Sequence, residues 1–274
     1  GCFSNFSKKS LSKNRMTART SSLSFKTRAN FFTLFKKYWP ENDAPIYLNT
    51  EKKIWQHPSL DIRSTTVQGD SEKRLTWSEC LLKALDKIET PLVLYFQEDY
   101  FIHQRVRDDV IKVAAEYMFE NTEVKHIALT RHGSVGPHES YEVEGFQKIK
   151  QTARYRISTQ AGLWRVDTLK SHLRAEENGW MFEIYGSWRA HHLPECFLCV
   201  EFDNNQNEPP IDYLHTGIIK GRWLKEIQHV FEANDITVDY SKRGFYIPKY
   251  PLIRKFETGL RLLERPGYLI RQLF

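Results

Sequence analysis

Two adjacent carboxylates, Glu98 and Asp99, follow Gln97 directly after the apolar run at 92–96. Such a run reads as a strand buried on both faces, and in an open α/β sheet ligands gather at the carboxyl ends of strands. Two acids there suit a hard divalent cation with oxygen ligands, which in turn can hold a diphosphate. The plainer reading is a pair of loop acids opening a turn, and the residues alone leave the two readings level. Lys220 and Arg222 flank Gly221, so a loop with two cations can close on a departing diphosphate, although basic residues beside glycine are common on any surface. Trp180, Tyr185 and Trp188 can offer rings to the apolar face of a pyranose, in competition with core packing in a chain that is 14% aromatic. The pair His191-His192 ends a helix, where imidazolium suits the dipole, and reads as structural.

The elements that must position these residues show in the periodicity. Phe31, Phe32, Leu34, Phe35, Tyr38 and Trp39 recur at helical spacing, and that helix must stop before Pro40. A short strand at 46–48 follows. Residues 77–88 read as an amphipathic helix with Thr76 as N-cap. After the strand at 92–96, a helix near 105–119 and a strand near 126–130 continue the alternation, which argues for a mostly parallel sheet covered by helices. Residues 140–166 read as short strands, and Asp167 caps a helix to about 176. The pair Asn178-Gly179 breaks that helix, and another starts near Trp180. A buried strand is expected at 197–202, a loop at 203–210, a strand and loop at 213–220, and a helix at 223–231.

The chain has 274 residues, 41% of them hydrophobic, enough for a substantial core. Its net charge of +6 is unevenly spread. Residues 1–40 hold nine basic side chains and no acid, and residues 249–274 hold six basic and two acidic, which leaves about −7 for residues 41–248. An acidic body is not built as a nucleic-acid groove. Residues 1–28 have the composition of a poorly ordered basic tail. Residues 249–274 mix cations with large apolar side chains, which suits an anionic bilayer surface, with packing onto the body as the alternative. Four cysteines are too few for a disulfide framework and fit a reducing compartment. The Cys196-x-x-Cys199 pair sits in an apolar run and reads as core strand, with no second pair to complete a zinc site. No apolar run is long enough to span a membrane, and the first residues lack the apolar centre of a signal peptide.

The unit at 77–100, WSECLLKALDKIETPLVLYFQEDY, resembles the segment that carries the acidic metal-binding motif of GT-A-fold glycosyltransferases of the bacterial surface-polysaccharide kind. The stretch Ser158-Thr159-Gln160-Ala161-Gly162-Leu163-Trp164, the helix from Asp167, and residues 180–187 resemble the acceptor half of those enzymes. Residues 218–223 resemble their late basic loop. The resemblance covers roughly residues 29–232 and rests on the order of the motifs. It implies a GT-A-like three-layer α/β sandwich with a nucleotide-sugar half at 29–135 and an acceptor half at 136–248. It implies Asp99 as the ligand of Mn²⁺ or Mg²⁺, Glu98 beside the donor ribose or sugar, and His215 as a late metal ligand. Gln97 stands where many members have their first acid, a departure that weakens the metal site. Glu183, placed by this reading in the first turn of its helix and favoured in ionised form by the dipole, becomes the general base of an inverting transfer. A second departure lies at residues 16–25, which are polar where the family opens with a hydrophobic strand beside the nucleotide base.

The resulting expectation is an enzyme that moves a sugar from a nucleotide-diphosphate sugar to a glycan or lipid-linked acceptor. Gln97, Glu98, Lys220 and Arg222 would contact the donor, and Trp180 and Tyr185 the acceptor. The expected place is the cytoplasm, peripheral on the inner membrane face. A rival of another class is a non-catalytic protein whose basic ends hold an anionic surface or nucleic acid; it predicts salt-sensitive nucleic-acid binding lost with residues 1–28.

Overall fold

The structure is a computed structural model that describes residues 2–6, 15–17, 25–70, 74–202, 208–263 and 268. In chain order the first elements are β1 (Cys2–Phe6), β2 (Arg15–Thr17), α1 (Phe25–Tyr38), β3 (Ile46–Leu48), β4 (Ile62–Ser64), α2 (Trp77–Leu85) and β5 (Leu92–Tyr95). They are followed by α3 (Asp108–Glu120), β6 (Val124–Ala128), β7 (His138–Ser140), β8 (Phe146–Ile149), β9 (Gly162–Arg165), α4 (Val166–His172) and α5 (Gly179–Ala190). The chain continues through β10 (Cys196–Val200), β11 (Ile218–Ile219), β12 (Arg222–Trp223), α6 (Ile227–Glu232) and α7 (Pro251–Leu263).

Eight strands form one sheet in the order β2-β1-β5-β9-β6-β10-β8-β7. Strand β5 alternates strictly: Leu92, Leu94 and Phe96 join the cluster under α1 and α3, while Val93 and Tyr95 face α2, α4 and α5. Helices therefore cover both faces, and the expected three-layer α/β sandwich is the observed fold. Strands β2, β5, β6, β7 and β10 run one way and β1, β8 and β9 the other. The sheet is thus mostly parallel in direction but not in neighbour pairing, since only β6 and β10 pair in parallel. Three reversed strands separate the rest: β9 returns after the β7–β8 hairpin and inserts between β5 and β6, β1 lies between β2 and β5, and β8 lies between β10 and β7, each antiparallel to both neighbours.

Local chemistry sets the helix ends. In α1 the stripe Phe31, Phe32, Leu34 and Phe35 is buried, and the helix ends at Tyr38, one residue ahead of the Trp39-Pro40 step that disfavours helical backbone. At α2 the Thr76 side chain accepts from Glu79 N while the Glu79 side chain accepts from Thr76 N, a reciprocal capping box. At α5 the Asn178 side chain accepts from Met181 N at 3.0 Å. Helix α4 starts at Val166, one residue before the expected cap at Asp167, and stops at His172. The expected helix at 223–231 shrinks to α6 because Trp223 pairs with Ile218 in a hairpin.

The amino-terminal segment departs from the tail expected at residues 1–28. Strand β1 pairs antiparallel with β5, Asn5 opposite Val93 and Phe6 opposite Leu92, and β2 pairs with β1. An exposed edge of β5 would leave backbone groups unpaired beside the core, and β1 satisfies them. Residues 7–14 and 18–24 lie outside the described residues, and so do most of those beyond 263. Phe25, the last residue of the polar stretch at 16–25, opens α1. Cys199 is buried in β10, as the core-strand reading of the Cys-x-x-Cys pair required, and Cys80, Cys196 and Cys199 are free thiols.

Candidate active site

Past β5 the chain passes Phe96 and turns at Gln97, Glu98 and Asp99. Glu98 is fully buried, and a buried carboxylate must be paired. Its partner is Arg28 in α1, whose Nε donates to Glu98 Oε1 while Nη2 lies 3.4 Å from Oε2. Asp99 is 6% exposed. Its Oδ2 accepts from Thr216 Oγ1 at 2.9 Å, whereas Oδ1 is buried without a hydrogen-bond partner among the described residues. Burial pushes the Asp99 pKa up to about 6, against the pull of the Thr216 hydrogen bond. Gly217 donates from its N to Asp99 O at 2.7 Å. A Cβ at that position would stand 2.4 Å from the Phe101 ring and 3.0 Å from Asp99 O, so only glycine lets the strand pass so close.

Glu183 is the fifth residue of α5, not in its first turn as the sequence suggested, so the dipole is not what fixes it. The helix begins at Gly179 because Asn178 caps it there. Instead the carboxylate is held by hydrogen bonds: Oε1 accepts from Thr159 N at 2.8 Å and from Thr159 Oγ1 at 2.7 Å. Burial raises the Glu183 pKa above the ordinary carboxyl value, and the two Thr159 bonds oppose that rise. Thr159 O in turn accepts from Tyr100 OH at 3.3 Å and, at the long limit, from Gln97 Nε2 at 3.5 Å. One residue therefore touches both the general-base candidate and the turn that bears Glu98 and Asp99.

The floor beneath them is a closed polar network. Gln160 Nε2 donates to Tyr100 OH at 3.0 Å, Tyr213 OH donates to Gln160 Oε1 at 3.0 Å, and Ala161 N donates to Tyr213 OH at 2.9 Å. The Tyr100 and Tyr213 rings stack at 4.8 Å with 5° between planes. Desolvation drives both phenol pKa values upward, which keeps the hydroxyls neutral.

Other candidates fall elsewhere. Tyr185 is 1% exposed and its ring meets Trp188 at 5.5 Å and Tyr268 at 5.2 Å, so it is core and cannot stack on an acceptor. Trp180 is half-buried. His215 lies edge-on to His132 at 5.4 Å between ring centres, and it is Thr216 that reaches Asp99 from this segment. Among the described residues no three His, Cys, Asp or Glu side chains gather for a metal. What fits a Mn²⁺ or Mg²⁺ ion is the single unpartnered oxygen of Asp99, since such ions often use one or two carboxylates with substrate phosphates completing the shell. Glu98 is committed to Arg28.

Lys220 and Gly221 are the two central residues of the β11–β12 hairpin, with φ of +51° and +80°, the backbone of a type I′ turn. Leu224 N bonds to Gly217 O at 2.9 Å, so the hairpin that carries Lys220 and Arg222 leaves and rejoins the chain at the glycine bonded to Asp99. Arg28, Thr159 and Thr216 were not foreseen as site residues. Thr159 alone had a signal, lying in the stretch at 158–164 singled out for its resemblance.

No protein-family model matches the chain, and no curated protein matches it. Among solved structures, S. aureus TarS 1–349 is similar at 13% identity and a TM-score of 0.46, over 69% of this chain and 57% of that one. The same protein in complex with UDP is similar at 14% identity and a TM-score of 0.40, over 68% and 61%. The bifunctional IspDF from Campylobacter jejuni follows at 11% identity and a TM-score of 0.33, over 72% and 51%. The chain thus spans less than two thirds of the length of each of them.

Proposed function

We propose that the protein is an inverting glycosyltransferase that moves a sugar from a nucleotide-diphosphate donor to a hydroxyl of a glycan or lipid-linked acceptor in surface-polysaccharide synthesis. The observation that carries the reading is Thr159, which bonds Glu183 on one side and Tyr100 and Gln97 on the other. It sets a carboxylate base beside the acidic turn at the end of a central strand.

In this reading the acceptor hydroxyl attacks the anomeric carbon and gives its proton to Glu183, while the C–O bond to the diphosphate breaks on the opposite face. Thr159 fixes one carboxylate oxygen and leaves the other for the acceptor. The raised pKa makes Glu183 a stronger base than an exposed carboxylate, provided the pH is high enough to ionise it. Lys220 and Arg222 compensate charge on the departing diphosphate. A Mn²⁺ or Mg²⁺ ion on Asp99 would supply further charge neutralisation there. Arg28 holds the Glu98 carboxylate in place. Trp180 remains the acceptor-side ring.

Helix α7 leaves Leu252 at 80%, Ile253 at 47%, Phe256 at 68% and Leu260 at 48% exposure, an apolar stripe at helical spacing. Its sequence also holds Arg254, Lys255 and Arg261, a composition that supports attachment to an anionic membrane, where a lipid-linked acceptor would be met. Among the described residues no helix is long and apolar enough to cross a membrane. The test is release of nucleoside diphosphate from a panel of uridine- and guanosine-diphosphate sugars in the presence of Mn²⁺. Full activity in both Asp99→Ala and Glu183→Gln would overturn the site.

A further inference from the structure

A cavity of about 970 Å³ opens between the first turn of α1, the β11–β12 hairpin and residues 237–243. Five of its lining residues are cations, Lys26, Lys220, Arg222, Lys242 and Arg243, and one is an acid, Asp239. That acid is already engaged, accepting from Ser241 N at 3.1 Å and standing 3.6 Å from Lys242 Nζ. Lys220 Nζ also stands 3.9 Å from Glu257 Oε2, at the limit of an ion pair. The lining therefore carries a clear excess of positive charge.

The walls are built rather than loose. Arg243 Nη1 donates to Gly221 O at 3.3 Å, at the tip of the hairpin. Trp223 N donates to Gly244 O at 3.0 Å and Tyr246 N to Trp223 O at 2.8 Å, which pins the hairpin to the segment that follows. Trp223 is 2% exposed and anchors the hairpin against Phe101 and Phe231. Two chain segments link the cavity lining to the carboxylate turn. Thr27 lines it and the next residue, Arg28, holds Glu98; Lys220 follows by three residues the glycine bonded to Asp99. The Phe25 ring, 72% exposed, stands at the mouth as an apolar face.

We propose that this cavity binds a phosphate-bearing ligand, with Lys26, Lys242 and Arg243 joining Lys220 and Arg222 as its anion-holding residues. Several cations converging on one concave space suit a group with two or more negative charges, and the exposed ring suits a base or sugar attached to it. The inference builds on the assignment of Lys220 and Arg222 given above. It is tested without turnover, so the two can fail separately.

The experiment is calorimetric titration of the full chain with inorganic pyrophosphate, and then with uridine diphosphate at saturating pyrophosphate. Pyrophosphate should bind, more weakly as salt rises. The double variant Lys26→Gln/Lys242→Gln should weaken that binding about tenfold or more, the scale of one or two lost charge contacts. Both are exposed side chains, and an unchanged thermal unfolding midpoint confirms that the variant is folded. Competition between uridine diphosphate and pyrophosphate assigns the phosphate to the donor. Simultaneous binding assigns it to a phosphate-bearing acceptor. Absence of pyrophosphate binding, or equal affinity in the folded variant, overturns the proposal.

Discussion

Three side chains carry the proposed site, and each makes a separate demand on the fold. Glu183→Gln keeps the hydrogen bonds from Thr159 but cannot take a proton, so turnover should fall by roughly 10²–10⁴ with donor binding retained. Steady-state rates beside a donor titration check this. Asp99 is held against its ionised form: its pKa near 6 lies above the ordinary 3.8. A carboxyl raised in this way contributes stability that is fully present below about pH 4 and lost as pH rises through about 6, at most about 3 kcal/mol. Asp99→Asn should therefore raise the melting temperature at pH 8, with the gain closing towards pH 4, while it damages activity. Melting curves at the two pH values test the sign. With Glu183 also raised by burial, the acid-side fall in rate should lie above the ordinary carboxyl range. Arg28→Ala strands the buried Glu98 charge and should cost about 3–5 kcal/mol in a denaturant titration, much of it restored by adding Glu98→Gln.

At the scale of elements, local sequence codes were readable wherever one residue type had one physical job. Pro40 stops α1, Thr76 caps α2, the Asn178-Gly179 pair marks the break ahead of α5, and the unbroken apolar run at 92–96 marks β5 as buried on both faces. What was not legible depends on contacts far apart in sequence. Nothing near Arg28 reveals that it meets Glu98 70 residues later, and nothing near Thr216 reveals Asp99. Tyr185 misled because a ring for sugar stacking and a ring for the core have the same local pattern. Glu183 was singled out for its chemistry, and its position was misjudged by one residue, which takes it just past the first turn, because the first helical residue is Gly179 rather than Trp180. Helix α7 carries its own prediction. Its apolar stripe should bind vesicles containing anionic phosphatidylglycerol and not neutral phosphatidylcholine vesicles, and Leu252→Asp/Phe256→Asp should abolish co-sedimentation.

Across the whole molecule, the net charge of +6 resolves into an acidic body with cations at its two ends. The fold puts some of those end cations to use: Arg28 enters the site and Lys26 lines the cavity that also holds Lys220 and Arg222. The segment read as a tail contributes β1 to the central sheet, a pairing that composition cannot show because it is made by backbone groups. The three-layer sandwich was legible in the helix and strand alternation, whereas the antiparallel insertion of β9 was not, since strand order is a tertiary choice. The central claim is that this scaffold performs sugar transfer with Glu183 as base. The most direct measurement is nucleoside diphosphate release from uridine- and guanosine-diphosphate sugars by the protein and by Glu183→Gln. The account predicts release by the protein with at least one donor, and a rate at least about a hundredfold lower in the variant. No release from any donor, or equal rates in the two proteins, would contradict it.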